Sequence, residues 1–407
     1  MDLRGTLDLT ARSIGALASI GSDRVEQGLG LALPRTPEEL CEPDVLNRLL
    51  QQHAAEGWPP LPSVSKARLP GVDFESSNCR NFLVEVDFDA EASGDGSEVP
   101  RSLYAKLPCD DLATRVFANT MGFWSLECHF CERIAHRIPI RVPRTYAVAE
   151  RGARFVLLLE NLHELPGAQL FINRDMAAGT TLERARMCLS MFAELHAAFW
   201  GTSPAERDAL LPTHWNTYCS PSRRAMTLAL NQAAIEPAHR AAPELVTREI
   251  ADLCQLACQK WDRLIEAFFD GPLTLVHGDS HLGNCFEYAT ADGPRMGMID
   301  FQGVHWGLGV RDVQYFLINS LDSELLAAHE DELLQHYLSE LRTRGITLDL
   351  ERAKAQYRAL SFQTLMVGIV PLGMGALTER EHTLTRVLER GTAAARRLGL
   401  KDWIQRL

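Results

Sequence analysis

Two short segments carry most of the side chains that can do chemistry in this sequence. HGDSHLGN, residues 277–284, contains two histidines, an aspartate, an asparagine and two glycines, and MIDFQG follows at 298–303. Each segment lies directly behind an apolar run that predicts a buried strand. In the first segment Gly278 allows a tight turn that presents Asp279 at the strand end. Asp300 occupies the corresponding place in the second segment.

The oxygen-bearing side chains of these segments indicate a magnesium site. Asn284 follows Asp279 at a spacing that lets its amide oxygen approach a cation beside the same loop. Asn284 and Asp300 offer hard oxygen ligands, which suit Mg²⁺ better than zinc. For His277 and His281 we favour bracing of the loop by hydrogen bonds over metal ligation. Since magnesium accompanies phosphates, the pattern points to phosphate chemistry.

A lysine and a glutamate upstream extend this interpretation. Lys106 interrupts the apolar strand SLYAKLP, and Glu127 shares the apolar face of the next helix with Phe130 and Ile134. A buried carboxylate needs a partner, so we predict a buried Lys106–Glu127 ion pair. The alternative is that Lys106 reaches solvent at the strand edge and Glu127 is a solvated helix residue. Phosphoryl transfer uses such a lysine together with metal ligands and a carboxylate that orients the nucleophile.

The chain has 407 residues, which is long enough for two compact units. The strands and helices that must position these groups divide it into three segments. We predict an N-terminal extension over 1–60. A small lobe of strands around one helix, itself near 111–137, is predicted over 61–160. A mainly helical lobe over 161–407 carries the two motifs.

Composition excludes some classes of function. The net charge of −12, without any run of Lys or Arg, argues against a nucleic-acid partner. The longest apolar stretch, 365–377, is shorter than the roughly 20 residues that a membrane span needs. The close pairs Cys128/Cys131 and Cys254/Cys258 fall in helical patterns, so we interpret the cysteines as reduced core thiols of a cytoplasmic protein.

The order of the motifs resembles the small-molecule kinases of the aminoglycoside phosphotransferase and choline kinase superfamily, most closely its ecdysteroid-kinase-like branch. The resemblance rests on HGDSHLGN, on IDFQ and on the Arg311-Asp312 pair downstream, and it covers most of 61–390. LYAK at 103–106 is similar to the family's lysine strand, and LECHFCERI at 126–134 to its glutamate helix.

By that similarity the chain has a bilobal protein-kinase-like fold of the α+β class, with a small antiparallel-sheet lobe and a larger helical lobe. The resemblance implies transfer of the γ-phosphate of ATP to a hydroxyl of a small-molecule substrate, with Mg²⁺ as cofactor. Asp279 is then the catalytic base and Asn284 and Asp300 are the metal ligands. Lys106 is the phosphate lysine, and Glu127 is its partner.

LLLENL at 157–162 resembles the hinge of these kinases, where the backbone at Glu160 and Leu162 would bind adenine. The second hinge residue is Asn161, where the family more often has an acidic residue. Backbone recognition of adenine does not depend on that side chain.

The small lobe departs from the kinase pattern at its phosphate loop. No glycine-rich loop stands between its first strands, and ESSNCRN takes that place. Ser76, Ser77 and Asn78 in this segment have hydroxyl, amide and backbone groups that can hydrogen-bond phosphates. The sequence alone shows only a turn there.

Two further residues are expected to support the site rather than to react. His196 lies in register with Leu189 and Phe192 on a helix that we predict to begin with a capping box from Thr180 to Glu183, and we interpret it as a core histidine. Asp312 is expected to hold the catalytic loop through backbone N–H groups.

Two other functions compete with a kinase. A catalytically silent nucleotide-binding protein shares the fold, but the presence of all five predicted groups argues against it. A metal-dependent phosphoesterase shares the string H-G-D-x-H, but its other segments are missing. The acceptor, the choice of ATP or GTP and the oligomeric state are not readable from the sequence.

Overall fold

In the computed structural model the chain divides into two compact units. The small unit comprises Leu9–Ala168 with Asp300–Gly303, and the large unit comprises Gln169–Ile299 and Val304–Leu407 with the residues up to Asp8. The residues that the structure describes are 3–28, 33–74, 76, 78–89, 99–212, 218, 220–375 and 381–407.

The small unit combines an antiparallel sheet with helices. Its helices are α1 (Leu3–Gly28, from Leu9 onward), α2 (Pro37–Leu40), α3 (Pro43–Gln52), α4 (Leu112–Met121) and α5 (Phe123–Arg133). Its strands are β1 (Val64–Arg68), β2 (Asp73–Phe74), β3 (Cys79–Phe88), β4 (Ser102–Pro108), β5 (Thr145–Arg151) and β6 (Arg154–Glu160). The described strands pair in the order β1-β3-β4-β6-β5, with β2 added along β3.

Alternation along the central strand β4 decides which side chains enter the core. Leu103, Ala105 and Leu107 are fully buried in a cluster with α3 on one face of the sheet. Lys106 points to the other face because successive side chains of a strand alternate. It pairs there with Asn81 of β3 and Leu157 of β6 across the ladder. One face of the sheet therefore packs on the apolar core, and the other face carries the lysine.

The predicted single helix near 111–137 is wrong, because two helices occupy that range. α4 ends and α5 begins at Gly122, whose φ of 76° is left-handed. Glycine takes this conformation without the steric cost of a Cβ, and it redirects the chain between the helices. Glu127 and Phe130 are buried on α5 as the periodicity predicted.

Most of the predicted N-terminal extension, from Leu9 to residue 60, belongs to the compact small unit. Leu46, Leu49 and Leu50 of α3 pack in the sheet core, because helical spacing places them on one side. The predicted limits 1–60, 61–160 and 161–407 stay predictions, and the compact units have other limits.

The large unit is mainly helical. Its helices are α6 (Asn173–Ala178), α7 (Leu182–Ala198), α8 (Pro204–Leu210), α9 (Pro221–Ala241), α10 (Arg248–Gln259), α11 (Trp261–Phe268), α12 (Val310–Ser320), α13 (Ser323–Thr343), α14 (Leu350–Gly373), α15 (Glu381–Arg397) and α16 (Leu400–Arg406). Its strands are β7 (Gln169–Leu170), β8 (Thr274–Val276), β9 (Cys285–Thr290), β10 (Gly293–Met298) and β11 (His305–Gly307). The small antiparallel-sheet unit and the larger helical unit confirm the predicted α+β class.

The short strands of the large unit carry the two sequence motifs. β8 pairs with β11, and β9 pairs with β10 and β7. Residues 277–284 connect β8 to β9. IDFQ begins at the residue after β10 ends. Each motif therefore follows a buried strand end, as predicted.

Three other predictions can be judged in the described part of the chain. The N-cap of α7 is Thr181, whose hydroxyl accepts from Arg184 N, so the predicted capping box from Thr180 to Glu183 is wrong, because the helix starts one residue later and its N3 residue is Arg184. The cysteines that the structure describes are free thiols, and both close pairs are buried. No described helix is long and apolar enough to cross a membrane.

Candidate active site

A buried carboxylate holds the loop at 277–284 in place. Asp312, on α12, has no exposed surface, and its oxygens accept hydrogen bonds from His277 N at 2.7 Å and Gly278 N at 3.0 Å. His196 Nε2 lies 3.2 Å from the same carboxylate, and its Nδ1 lies 2.9 Å from the hydroxyl of Tyr337. The predicted roles of Asp312 as loop anchor and of His196 as a satisfied core histidine are confirmed.

The environment of Asp312 keeps it ionised. Burial opposes the charge, but the hydrogen bond and charge interaction with His196 and the backbone N–H of Gly278 outweigh it and hold the pKa of Asp312 below its usual value. A carboxylate that accepts backbone N–H groups in this way fixes the conformation of the loop that donates them.

Asp279 presents its carboxylate at the tip of this loop. Gly278 before it has a φ of 83°, which is the tight turn that the sequence predicted. Oδ1 accepts a hydrogen bond from the hydroxyl of Tyr315 at 2.8 Å, and Oδ2 accepts one from Asn284 Nδ2 at 3.2 Å. His281 Nε2 is 3.7 Å from Oδ2. About a third of the side chain, 34%, is exposed, so a ligand can reach it.

The partners of Asp279 also favour its charged form. Burial of the carboxyl raises its pKa, whereas His281, through charge and a hydrogen bond, and the hydroxyl of Tyr315 lower it, and the net result is a pKa below the usual value. Asp279 is therefore a weak base, which suits a group that orients a hydroxyl and takes its proton late in the reaction.

The side chain of Asn284 is fixed by two hydrogen bonds from its amide nitrogen. Its Nδ2 donates to the backbone carbonyl of Asp279 at 2.8 Å as well as to the carboxylate, which directs Oδ1 away from these partners. Its own carbonyl accepts from Ile299 N, and His277 Nε2 lies 2.9 Å from the carbonyl of Ile299. His277 thus braces the loop against the end of β10, which is the structural role we favoured.

In the small unit Lys106 stands between two carboxylates. Its Nζ is 2.6 Å from Glu127 Oε1 and 3.3 Å from Asp300 Oδ1. The side chains of Lys106 and Glu127 are 7% and 3% exposed, so the predicted buried ion pair is present and the solvated alternative is wrong. Burial lowers the pKa of Lys106, but Asp300 and Glu127 raise it more, and the lysine stays charged.

The surroundings of Glu127 disfavour its charged form. Burial, opposed by the charge of Lys106 and reinforced by that of Asp300, raises the pKa of Glu127 to about 7. Its Oε2 has no hydrogen-bond partner among the described residues. One lysine therefore serves two acids.

Asp300 lies in a strained turn that the neighbouring aromatic residue stabilises. Its φ of 65° is left-handed, and it is the one described residue other than glycine with such a value. The ring of Phe301 stacks on Phe130 of α5 with centroids 3.8 Å apart. Strain of this kind is concentrated at functional sites, where the surrounding structure maintains it.

The segment that replaces a glycine-rich loop is connected to this turn. Asn78 Nδ2 donates to Gln302 Oε1 at 2.7 Å, and Gln302 Nε2 donates to Asp300 Oδ2 at 3.3 Å. The hydroxyl of Ser76 accepts from Cys79 N and closes the turn into β3. Ser77 lies outside the described residues. Contact of this segment with phosphate stays a prediction.

The hinge residues use their side chains for structure. Both carboxylate oxygens of Glu160 lie 2.6 Å from Arg141 Nη2, and Oε2 also accepts from Arg144 N. The carbonyl of Leu162 accepts from Leu165 N in a short 3₁₀ turn. Adenine recognition at Glu160 and Leu162 would therefore use the backbone, as predicted, and it stays a prediction.

The donor chemistry fits the predicted magnesium. No group of three or more His, Cys, Asp or Glu side chains among the described residues is arranged to hold a metal. Mg²⁺ is usually bound by one or two protein oxygens, with water and substrate phosphates completing its shell, rather than by a cage of protein ligands. The amide of Asn284 and the carboxylate of Asp300 are donors of this class, and their metal roles stay predictions.

Sequence reasoning missed the contacts of Tyr315 and Gln302. Tyr315 follows Asp312 by three residues, so both lie on the same side of α12, a spacing that offered a clue. Gln302 was part of a recognised motif, but its bond to Asn78 joins positions more than 200 residues apart. Trp306, four residues after the IDFQ motif, is buried, and its indole donates to the carbonyl of Leu211.

Comparison with known proteins identifies the family. The model of the ecdysteroid kinase-like family matches residues 79–349, more than half of the chain. No curated protein matches the sequence. Among solved structures, a microcompartment-associated aminopropanol kinase is 15% identical over 86% of this chain and 94% of its own, with a TM-score of 0.43.

Two other structural matches have similar values. Plasmodium vivax ethanolamine kinase is 10% identical over 81% of this chain and 82% of its own, with a TM-score of 0.44. A thermostable aminoglycoside phosphotransferase mutant was solved in ternary complex with AMP-PNP and hygromycin B. It is 14% identical over 84% of this chain and 94% of its own, with a TM-score of 0.40. The family match, together with the motifs at 277–284 and 299–302, shows that this chain belongs to the ecdysteroid kinase-like family.

Proposed function

We propose that this protein transfers the γ-phosphoryl group of ATP to a hydroxyl of a small molecule, with Mg²⁺ as cofactor. The observation that carries the proposal is the position of Lys106, buried between Glu127 and Asp300. A buried ion pair seldom adds stability over apolar packing, and this one leaves an oxygen of Glu127 without a donor in the part of the chain that the structure describes. A charge kept under these conditions is suited to binding a phosphate.

Each chemical role has a residue that can perform it. Lys106 supplies positive charge to phosphate oxygens, and Glu127 holds the lysine. Bound Mg²⁺ would neutralise charge on the phosphates, and Asn284 and Asp300 are the residues that would hold it. Asp279 orients the acceptor hydroxyl and receives its proton.

The transfer step balances with these residues. The acceptor oxygen forms a bond to the γ-phosphorus, and the bond from that phosphorus to the bridging oxygen of the β-phosphate breaks. The hydroxyl proton passes to Asp279, and ADP departs with the electron pair of the broken bond. Most of the catalytic effect of such a site comes from positioning and charge stabilisation.

The first experiment tests the nucleotide site without an acceptor. The thermal midpoint is measured with ATP and with GTP, each with and without Mg²⁺, for wild type and Asp300→Ala. A nucleotide at a hundred times its Kd should add about 2.7 kcal/mol of stability. A rise in midpoint that requires Mg²⁺ and is lost in the variant supports the proposal. No rise with either nucleotide contradicts it.

The second experiment tests transfer. ADP release is followed with a panel of hydroxyl compounds comprising an ecdysteroid, ethanolamine, aminopropanol and hygromycin B. Asp279→Asn should lose at least about a hundredfold in kcat while it still binds nucleotide, since it removes the proton acceptor. Equal turnover in that variant would show that the assigned base is wrong. Binding of ATP without any turnover would favour the catalytically silent alternative.

A further inference from the structure

The hydroxyl of Tyr315 is a direct partner of the predicted base. The Tyr315 ring is 2% exposed on α12, and its hydroxyl donates to Asp279 Oδ1 at 2.8 Å. The contacts of the other oxygen, Oδ2, are with Asn284 and His281. Tyr315 therefore controls the oxygen that these two residues leave unconstrained.

The role proposed for Asp279 depends on the orientation of its carboxylate. One carboxylate oxygen has to face the acceptor hydroxyl. An aspartate that is a third exposed can rotate about its terminal torsion, because that torsion has a broad energy profile. A fixed donor on Oδ1 limits this rotation.

Arg311 in turn fixes the tyrosine and the loop together. Its guanidinium lies over the Tyr315 ring, 4.4 Å from the centroid, and its Nη2 donates to the carbonyl of Gly278 at 2.9 Å. Gly278 directly precedes Asp279, so one cation contacts both the residue before the base and the tyrosine that donates to it.

The arrangement of Arg311 is costly, which suggests a purpose beyond packing. The residue is 6% exposed, and its Nε and Nη1 have no hydrogen-bond acceptor among the described residues. A buried donor without an acceptor costs free energy, and a guanidinium has two such donors here. The face of an aromatic ring compensates a buried cation only in part.

We propose that Tyr315 is a positioning residue for Asp279, and that Arg311 acts through it by clamping the ring against the catalytic loop. The inference rests on the proposed function, in which Asp279 receives the acceptor proton. Neither Tyr315 nor Arg311 is proposed to touch the reacting atoms. Both act by fixing the direction in which Asp279 faces.

The test uses water as the acceptor, so that no substrate need be known. Phosphate release from ATP in the presence of Mg²⁺ is measured for wild type, Tyr315→Phe, Arg311→Met and the double variant. We expect Tyr315→Phe to lower kcat about 10- to 100-fold, the loss that follows removal of one hydrogen bond to a charged group. KM for ATP should change by less than about twofold, because nucleotide contacts remain.

The double variant separates a shared role from two independent ones. If Arg311 acts through Tyr315, the double variant should be no slower than Tyr315→Phe by more than about threefold, because coupled residues are not additive. Multiplied losses would show that Arg311 acts by another route and would overturn that part of the proposal.

Tyr357→Phe is the matched control. Tyr357 is also 2% exposed, but it lies on α14, so the variant removes an equally buried hydroxyl away from the loop. Its kcat should equal that of wild type. Urea denaturation of every variant corrects each rate for the folded fraction.

A second readout does not need activity. Hydrogen exchange of the peptide 277–284 should be faster in Tyr315→Phe and Arg311→Met than in Tyr357→Phe. If wild type neither binds nucleotide nor releases phosphate, the proposed function fails, while the exchange result still tests the clamp. Wild-type kcat and wild-type exchange in Tyr315→Phe would overturn the inference.

Discussion

Each of the two units buries a carboxylate, and the surroundings of the two carboxylates shift their pKa values in opposite directions. Asp312 in the large unit accepts from His277 N and Gly278 N, and its pKa lies below the usual value. Glu127 in the small unit has one ion-pair partner among the described residues, Lys106, which it shares with Asp300. The pKa of Glu127 is raised to about 7.

The difference separates a structural carboxylate from one that, in the proposed function, belongs to a ligand site. Backbone N–H groups complete the shell of Asp312 in the folded protein, so its charge is satisfied without any ligand. Glu127 and Asp300 together exceed the charge of Lys106, and one oxygen of Glu127 has no donor among the described residues. The small-unit cluster is incomplete by itself, which is what a site for a metal and phosphates requires.

The largest effect is expected from Asp312→Asn. The asparagine amide cannot accept both backbone N–H groups, so at least one becomes buried and unsatisfied, and the charge is lost. We expect the free energy of unfolding to fall by about 3 to 5 kcal/mol, measured by urea denaturation at pH 7.

The loss should be constant above about pH 5 and should shrink only as the pH falls below about 4. A lowered native pKa contributes stability that is present above the unfolded value of about 3.9 and is lost as the pH falls from there towards the native pKa. Asp331→Asn is the control, because Asp331 is an exposed partner of Lys354 and its loss should cost under about 1 kcal/mol. A cost for Asp312→Asn as small as that of the control would remove the contrast between the units.

Glu127→Gln tests the opposite dependence of stability on pH. A native pKa of about 7, raised above the unfolded value, gives wild type a contribution that is present at low pH and lost as the pH rises through 7. Without divalent cations, wild-type stability should therefore decrease by about 1 to 3 kcal/mol between pH 5.5 and 8.5 relative to Glu127→Gln.

The same pH series has a control on the same helix. Glu132→Gln changes a half-exposed residue beside Arg133 and should keep the wild-type pH dependence. If wild type and Glu127→Gln showed parallel curves, Glu127 would titrate as an ordinary surface acid, and the small-unit cluster would resemble the satisfied carboxylate of Asp312.

The smallest effect is expected from Asn78→Ala, which sharpens the comparison within the small unit. The change removes the bond that fixes the amide of Gln302 towards Asp300. KM for ATP with Mg²⁺ should rise about 3- to 10-fold, since one neutral hydrogen bond is lost, with little change in kcat.

Gln302→Ala provides the matched comparison for Asn78. It should give a similar rise in KM, and the double variant should add little, because both changes break one chain of hydrogen bonds. Additive losses would mean that Asn78 contacts the nucleotide separately from Gln302.

Much of the site was predictable because its parts are local in sequence. The turn at Gly278, the strand end before Asp300 and the inward face of Glu127 follow from glycine conformation and from strand and helix periodicity. The break between α4 and α5 was missed, because a glycine inside a helical pattern signals a boundary only when its φ is known. The N-cap of α7 was misplaced by one residue, because Thr180 and Thr181 are both capping residues.

The sequence by itself determined the α+β class and the residues of the motifs, since these depend on periodicity and spacing along the chain. The resemblance of those motifs indicated the family, which the match over residues 79–349 confirms. The tertiary structure decided which groups meet across long separations. It places Lys106 against Asp300, Asn78 against Gln302 and Tyr315 against Asp279. Such contacts depend on the packing of whole elements, and packing is a property that no short segment encodes.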